Sequence, residues 1–385
     1  MHLLHPRLFA ALPLLALFFA CKEESVDDGN PGTTPDGGSS GSTSGGDGGG
    51  GGSDGGTSGT IPTASLTWTK GTVTGPDLAT IGGIAAMAFG GGKFVALAKA
   101  SSPALNKNQF ALTSEDGKAW TQSAAFPLNY RIASLVYTGT GFVASGTMPS
   151  EDGAKAVYAT TTDGVTWTFN EMVGVDPDSA NVVTAVETKL HFAGGLGKMA
   201  FETNGALAGY TSPFVGSNAL ASCAIGSRVI TAGQADASKS TDPLFTYTDD
   251  VTKADGWKAG IEPSVTAREA NRFHGLACDA DRQLAVGAGN ELWVSTDRGA
   301  TWAVGNPNGD STTWQKIVKA NGTYVIVGWK AAYGVTTTGR ELATGKINDG
   351  ERNFESAATN GTIVVAGAGG LYNEPVAAEL WWTQP

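Results

Sequence analysis

The sequence predicts an all-β domain of seven four-stranded units, arranged as a propeller. Three observations carry that prediction. A turn segment, Ser295-Thr296-Asp297-Arg298-Gly299-Ala300-Thr301-Trp302, recurs in shorter form at Ser114-Glu115-Asp116-Gly117-Lys118-Ala119-Trp120 and at Thr161-Thr162-Asp163-Gly164-Val165-Thr166-Trp167, with a degenerate copy from Thr248-Asp249-Asp250 to Gly256-Trp257. An apolar strand, usually ending in glycine, recurs at Phe94–Ala98, Phe142–Gly146, His191–Gly195, Val229–Gly233, Leu284–Gly287, Tyr324–Gly328 and Ile363–Gly367, with ends 38 to 54 residues apart. No stretch shows sustained helical periodicity. A period of roughly 40–50 residues with several short strands per repeat is a propeller signature.

Each unit opens with a strand of small and apolar residues, such as Ile132–Tyr137, Phe273–Cys278 or Phe354–Ala358. A turn rich in Gly or Asn follows, as in Gly90-Gly91-Gly92, Asn321-Gly322 and Asn360-Gly361, because these residues accept positive φ. The glycine-ended strand comes next, then a third strand, then the recurring turn. In that turn Ser or Thr and Asp fold their oxygens onto loop N–H groups, Gly takes the positive φ, and Trp returns to the core. The last unit ends at Glu379-Leu380-Trp381-Trp382-Thr383, one strand short. Ser65-Leu66-Thr67-Trp68-Thr69 supplies the missing outer strand, closing the ring and removing two sheet edges.

Residues 1–20 read as a signal peptide, with Arg7 as the positive start and Leu8 to Phe19 as an apolar run too short for a permanent span. Residues 21–60 read as a linker. From Gly29 to Gly59 nearly every residue is Gly, Ser, Thr, Asp or Pro, which cannot bury enough surface to order itself. Residues 61–385 form the propeller. The chain carries −11, and seven acids against Arg7 and Lys22 place −5 of it in residues 1–60, leaving −6 on the propeller. That balance, with no stripe of Lys and Arg, excludes nucleic acid as a partner.

Two family resemblances rest on these residues. The turn built on Ser295, Asp297, Gly299 and Trp302, with Asp116, Trp120, Asp163 and Trp167 in the shorter copies, resembles the Asp-box, or bacterial neuraminidase repeat. Such repeats occur in β-propellers that include sialidases, other glycosidases, sortilin ectodomains and photosystem II assembly factors. The resemblance implies a propeller fold and gives these aspartates a structural role. The run Leu17-Phe18-Phe19-Ala20-Cys21 resembles the bacterial lipobox, with Phe18 where Leu is usual. It implies lipidation at Cys21, and Lys22 after the cysteine implies the outer membrane, on its periplasmic or outer side.

A sialidase also requires an arginine triad, a Tyr–Glu nucleophile pair and an acid. The family's F-R-I-P motif is absent; Tyr130-Arg131-Ile132-Ala133 echoes part of it in the second unit, and no Tyr–Glu pair is assignable. His191 and His274 have no second ligand at a zinc-like spacing, and no phosphate loop or nucleophile elbow appears. The expected function is a non-enzymatic binding or scaffold module, monomeric and without metal or cofactor. The alternatives are a sialidase-like glycoside hydrolase and an assembly factor for an envelope complex.

Cys223 and Cys278 each lie six residues before a glycine-ended strand, at matching places in adjacent units. In an exported protein they are candidates for a disulfide, with two small buried thiols as the other reading. Counting back fifteen residues from each strand end gives Gly83, Arg131, Ala180, Asn218, Arg272, Thr313 and Arg352. Three of these seven are arginine, at the place where the chain enters each innermost strand. Arginine offers a planar fork of donors for carboxylate, sulfate or phosphate. Arg131, Arg272 and Arg352, with Tyr130 and Trp314 beside them, form the candidate site for an acidic glycan or an acidic protein segment.

Overall fold

The computed structural model describes residues 65–76, 81–100, 110–126, 130–151, 153–235, 243–263, 272–305, 312–369 and 379–385. The signal peptide, linker and lipidation site lie outside the described residues. The described elements are strands and a few single-turn 3₁₀ segments. Five separate four-stranded sheets form, together with one nine-stranded sheet. The nine-stranded sheet is two further four-stranded units joined by the Gly369–Gly83 pair, plus one added strand. Within each unit neighbouring strands run antiparallel, and in units 1 to 6 they follow chain order from inside to outside.

The innermost strands of units 1 to 7 are Ile81–Gly90, Arg131–Tyr137, Val182–Val186, Ser217–Ile225, Phe273–Cys278, Trp314–Ala320 and Asn353–Thr359. Each packs against the next, and the last packs against the first. The strands therefore stand in a closed ring around a central channel, and the fold is a β-propeller.

Closure uses the N-terminal segment, with the paired strand at Thr69–Lys70, so that only Thr69 of the expected Ser65–Thr69 lies in it. Thr69–Lys70 pairs antiparallel with Leu380–Thr383, setting Thr69 opposite Trp382 and Lys70 opposite Trp381. Leu66 and Trp68 precede this strand and pack with Tyr333 and Phe354 between units 6 and 7. The chain then turns at Gly71, whose amide donates to Leu380 O at 2.8 Å. A Cβ there would sit 2.8 Å from Lys118 O, so the turn needs glycine. Thr72–Thr74 next pairs parallel with Ala119–Ala125, the outer strand of unit 1. One short segment thus fastens both sides of the seam.

Six of the seven inner strands carry an extra residue near their start: Ala85, Ala133, Leu220, His274, Gln315 and Glu355. These β-bulges bend each strand at the same level. The bulge brings the carbonyl before the inner strand down onto the second strand. A Cβ at Gly146, Gly233 or Gly287 would lie 2.0, 1.6 or 1.9 Å from the carbonyl oxygen of Arg131, Asn218 or Arg272. That close approach is why the second strand ends in glycine.

The bulges also correct the alignment in two units. Unit 3 has no register shift, and a 3₁₀ segment, Pro177–Ala180, leads into it, burying Ala180 completely. Its Gly194 amide bonds Lys198 O as the Gly287 amide bonds Glu291 O, so Gly194 rather than Gly195 is the equivalent glycine. In unit 7 the residue opposite Phe354 is Ala368, one past Gly367. The position matching Arg131 and Arg272 is therefore Asn353, and Arg352 stands one residue outside it.

The core lies between units rather than within them. Ile230 and Phe245 of unit 4 pack with Phe273, Ala285 and Trp293 of unit 5, and Trp302 stacks on Phe245 at 4.0 Å. Alternate residues of an inner strand face the preceding and the following unit. Cys223 and Cys278 are joined in a disulfide, with Cα atoms 5.9 Å apart. They are not at matching register: Cys223 lies opposite Ile230, three residues before Gly233, and Cys278 lies opposite Gln283, four before Gly287. The offset of one residue points the first thiol forward around the ring and the second back, which is what a bridge between neighbours requires.

Candidate functional site

The three fuller turn copies fold alike. At 295–302 the Ser295 hydroxyl donates to Asp297 at 2.9 Å and accepts from the Gly299 amide at 2.9 Å. Asp297 accepts from the Thr301 amide at 2.8 Å and the Thr301 hydroxyl at 2.7 Å, and Trp302 Nε1 donates to Gly299 O at 3.1 Å. Asp116 accepts from the Lys118 and Ala119 amides, and Asp163 from those of Val165 and Thr166. Trp120 and Trp167 repeat the indole bond to the turn glycine.

These bonds favour the ionised carboxylate. The Thr166 and Val165 amides hold Asp163 down at about 2, and the Ala119 and Lys118 amides lower Asp116. At Asp297 burial works the other way, but the Thr301 and Ser295 bonds outweigh it and the net shift is downward. A carboxylate so occupied has neither the proton nor the free lone pairs that acid–base work requires.

The degenerate copy keeps the spacing at its start: Asp250, two residues after Thr248, takes the central role, accepting from the Thr252 amide at 3.0 Å and its hydroxyl at 2.6 Å. The 3₁₀ turn Ala254–Gly256 carries Trp257 away, and its Nε1 donates to Tyr210 Oη instead. A fifth turn escaped the sequence analysis. In Thr336-Thr337-Thr338-Gly339-Arg340-Glu341-Leu342 the Gly339 amide donates to Thr336 Oγ1 at 2.8 Å and the Arg340 amide to Thr338 Oγ1 at 3.2 Å, while Leu342 is buried. Thr338 and Leu342 stand where Asp and Trp stand elsewhere; the preserved glycine spacing was its one signal.

Because strands alternate in direction, the turns between third and outer strands lie at one end of the ring. The starts of the inner strands, the ends of the second strands and the loops to the third strands lie at the other, the mouth face. Arg131 and Arg272 are both exposed there, each one residue before the same register position of its bulge. Neither has a carboxylate partner among the described residues. Arg352 differs. Its Nη2 lies 3.6 Å from Glu379 Oε1, which also pairs with Lys70 Nζ at 2.7 Å.

Tyr130 and Trp314 were expected to flank these arginines as ligand contacts, and the structure places both in the core. Tyr130 packs between Phe126 and Phe169 and donates to Ala144 O, and burial raises its phenol well above its usual range. Trp314 is fully buried, with Nε1 donating to Asn290 Oδ1 at 2.6 Å. Tyr130 directly precedes its inner strand and Trp314 begins its own; each is buried in the core, so neither reaches the surface. The exposed aromatic on the mouth face is Trp329, just past Gly328, a position the sequence analysis passed over. Its amide donates to Thr313 O at 3.0 Å, and Lys330 and Ala331 after it both hold φ 55°.

The two described histidines differ: His191 lies in the core and His274 is half-buried. His191 is fully buried beside Trp257, with both ring nitrogens unpartnered, and burial lowers it to about 3. His274 is the bulge residue of unit 5. Burial, then the charges of Arg272 and Lys316, lower it to about 4.

No protein-family model matches the chain, and no curated protein matches it. Similarity to solved structures is broad, with 1263 chains matching. One is the structure described as YCF48 bound to D1 peptide, with TM-score 0.59 and 13% identity over 84% of this chain and 98% of that one. At that identity the likeness shows the fold.

Proposed function

We propose that the protein is a non-enzymatic binding module that takes an acidic segment of a partner protein on its mouth face. The observation that carries this is the pair Arg131 and Arg272: exposed, at equivalent register, and without carboxylate partners among the described residues, in a domain of net −6. Fixed guanidinium forks on a rigid sheet are suited to carboxylates. Trp329 adds apolar contact on the same face. The similar fold of YCF48, solved with a peptide bound, supports a peptide rather than a glycan as ligand. The turn aspartates, each occupied by its own loop, favour binding over hydrolysis.

We further propose that Cys21 is lipidated and that residues 21–60 tether the propeller to the outer membrane. Acyl chains on one cysteine supply roughly 0.8 kcal/mol per buried methylene, enough for several chains to hold a protein at a bilayer. The Cys21→Ala protein is then recovered in the soluble exported fraction; unchanged membrane association and mass would refute the anchor. For the binding reading, an acetylated octapeptide of alternating Glu and Ala should bind and its Lys counterpart should not. Arg131→Ala/Arg272→Ala weakens the Glu peptide at least tenfold without lowering the melting temperature. Release of a fluorogenic sialoside by the purified protein would instead establish a hydrolase.

A further inference from the structure

The first residue beyond the bulge faces the neighbouring inner strand at close range. In five units it is Ala86, Ser134, Ala221, Gly275 or Ser356. The spacing explains why: a Cβ at Gly275 would lie 2.8 Å from Val286 Cγ2 and 3.0 Å from Lys316 Cα. In unit 6 the same position is Lys316. Packing does not call for a long cation where five equivalents are the smallest residues available.

Lys316 also lacks what a cation in such a place requires. It has no hydrogen bond or carboxylate partner among the described residues, and its surroundings hold its ammonium below the usual lysine range by desolvation. The groups beside it carry the same sign. Arg272 and His274 stand at the start of the adjacent inner strand, and the Arg272 and Lys316 charges both press His274 towards neutrality. Glu355, the bulge residue on the other side, is already paired with Lys99. Three basic groups stand on neighbouring inner strands, with Lys316 half-buried and without a partner among the described residues; they repel one another, and Lys316 and His274 are partly desolvated. Polyvalent negative charge placed among them relieves both costs. Perturbed titratable groups that cluster together mark functional sites more often than chance.

We propose that the channel wall between units 5 and 6 is a binding site for a small polyvalent anion, a phosphate or a di- or tricarboxylate. Lys316 is its principal ligand, His274 its second donor when protonated, and Arg272 its outer guard. The inference does not rest on the peptide reading, since its ligand is small and its principal residue lies inside the channel.

The test uses the full chain with ¹⁵N-labelled histidine. The His274 ring is titrated in inorganic phosphate, in citrate and in chloride at matched ionic strength. Anion binding should raise the His274 pKa by about one unit or more relative to chloride, the shift expected of a nearby opposite charge. The stronger of phosphate and citrate identifies the ligand class. Lys316→Met keeps the side-chain volume and removes the charge. In chloride this variant should melt above the parent. In phosphate or citrate the parent should gain stability while the variant does not, and the variant's anion affinity should fall at least tenfold. A His274 titration identical in all three salts, or a Met variant that binds the anion as tightly as the parent, overturns the proposal.

Discussion

Glycine and histidine show how single residues fix this structure. Gly287 closes the second strand of unit 5 because the bulge sets the Arg272 carbonyl 1.9 Å from where its Cβ would be. Gly287→Ala must push that carbonyl away, and with it the start of the inner strand and Arg272 itself. We expect a loss of about 1–3 kcal/mol in chemical denaturation, the usual cost of overpacking, and weaker acidic-peptide binding. An alanine variant as stable as the parent would mean the bulge is not rigid. His191 works through protonation. Its folded-state pKa is about 3 against 6.5 unfolded, so the unfolded chain binds the proton first. Its effect is absent above pH 7, and stability falls as pH drops from about 6.5 towards 3. The loss reaches roughly 3 kcal/mol by pH 4 at 1.36 kcal/mol per unit. His191→Leu should remove about half of the loss between pH 6.5 and 4. The remainder, of the same sign, belongs to His274, lowered to about 4, and at the acid end to the lowered turn aspartates. An unchanged pH profile in His191→Leu would contradict the burial of a neutral imidazole.

Among the elements, the closing segment and the disulfide carry separable shares of stability. Deleting residues 22–60 should leave the melting temperature unchanged. Deleting through Lys70 removes Trp68 from the packing with Tyr333 and strips the paired strand from Leu380–Thr383. That truncation should cost several kcal/mol, by exposing an edge and opening a cavity; equal melting of the two truncations would show that the seam does not depend on this strand. The disulfide spans 55 residues, and the loop-entropy estimate gives it about 4 kcal/mol. Cys223→Ala/Cys278→Ala should therefore denature at clearly lower urea than the parent, and two free thiols in the unreduced parent would refute the bridge. Much at this scale was legible. Turn aspartates, glycine-ended strands and the returning tryptophans are set by local hydrogen bonds and φ, which sequence spacing reports. The one-residue errors were not legible, because strand pairing, not the glycine itself, decides which residue of the second strand stands opposite the bulge. In unit 7 that residue is Ala368, so counting back from Gly367 reached Arg352 instead of Asn353. Counting six residues back from strands of unequal length hid the offset that lets Cys223 meet Cys278.

The whole molecule is a ring whose two ends have different chemistry. One end carries the self-satisfied turns built on Asp116, Asp163 and Asp297. The other carries exposed Arg131 and Arg272 and Trp329. The sequence located Arg131 and Arg272 on this second end because their spacing follows the repeat. It misjudged Tyr130 and Trp314, since nearness in sequence says nothing about which strand face a side chain completes. Trp329 was missed because only the loop's folded course shows it lying over Thr313 rather than inward. The central functional claim is that the mouth face does the binding. Hydrogen–deuterium exchange of the full chain with the alternating Glu–Ala octapeptide tests it most directly. Added protection is expected at the backbone around Arg131, Arg272 and Trp329, with the turns at 114–120, 161–167 and 295–302 unchanged. Protection confined to those turns, or none anywhere at saturating peptide, would contradict the account.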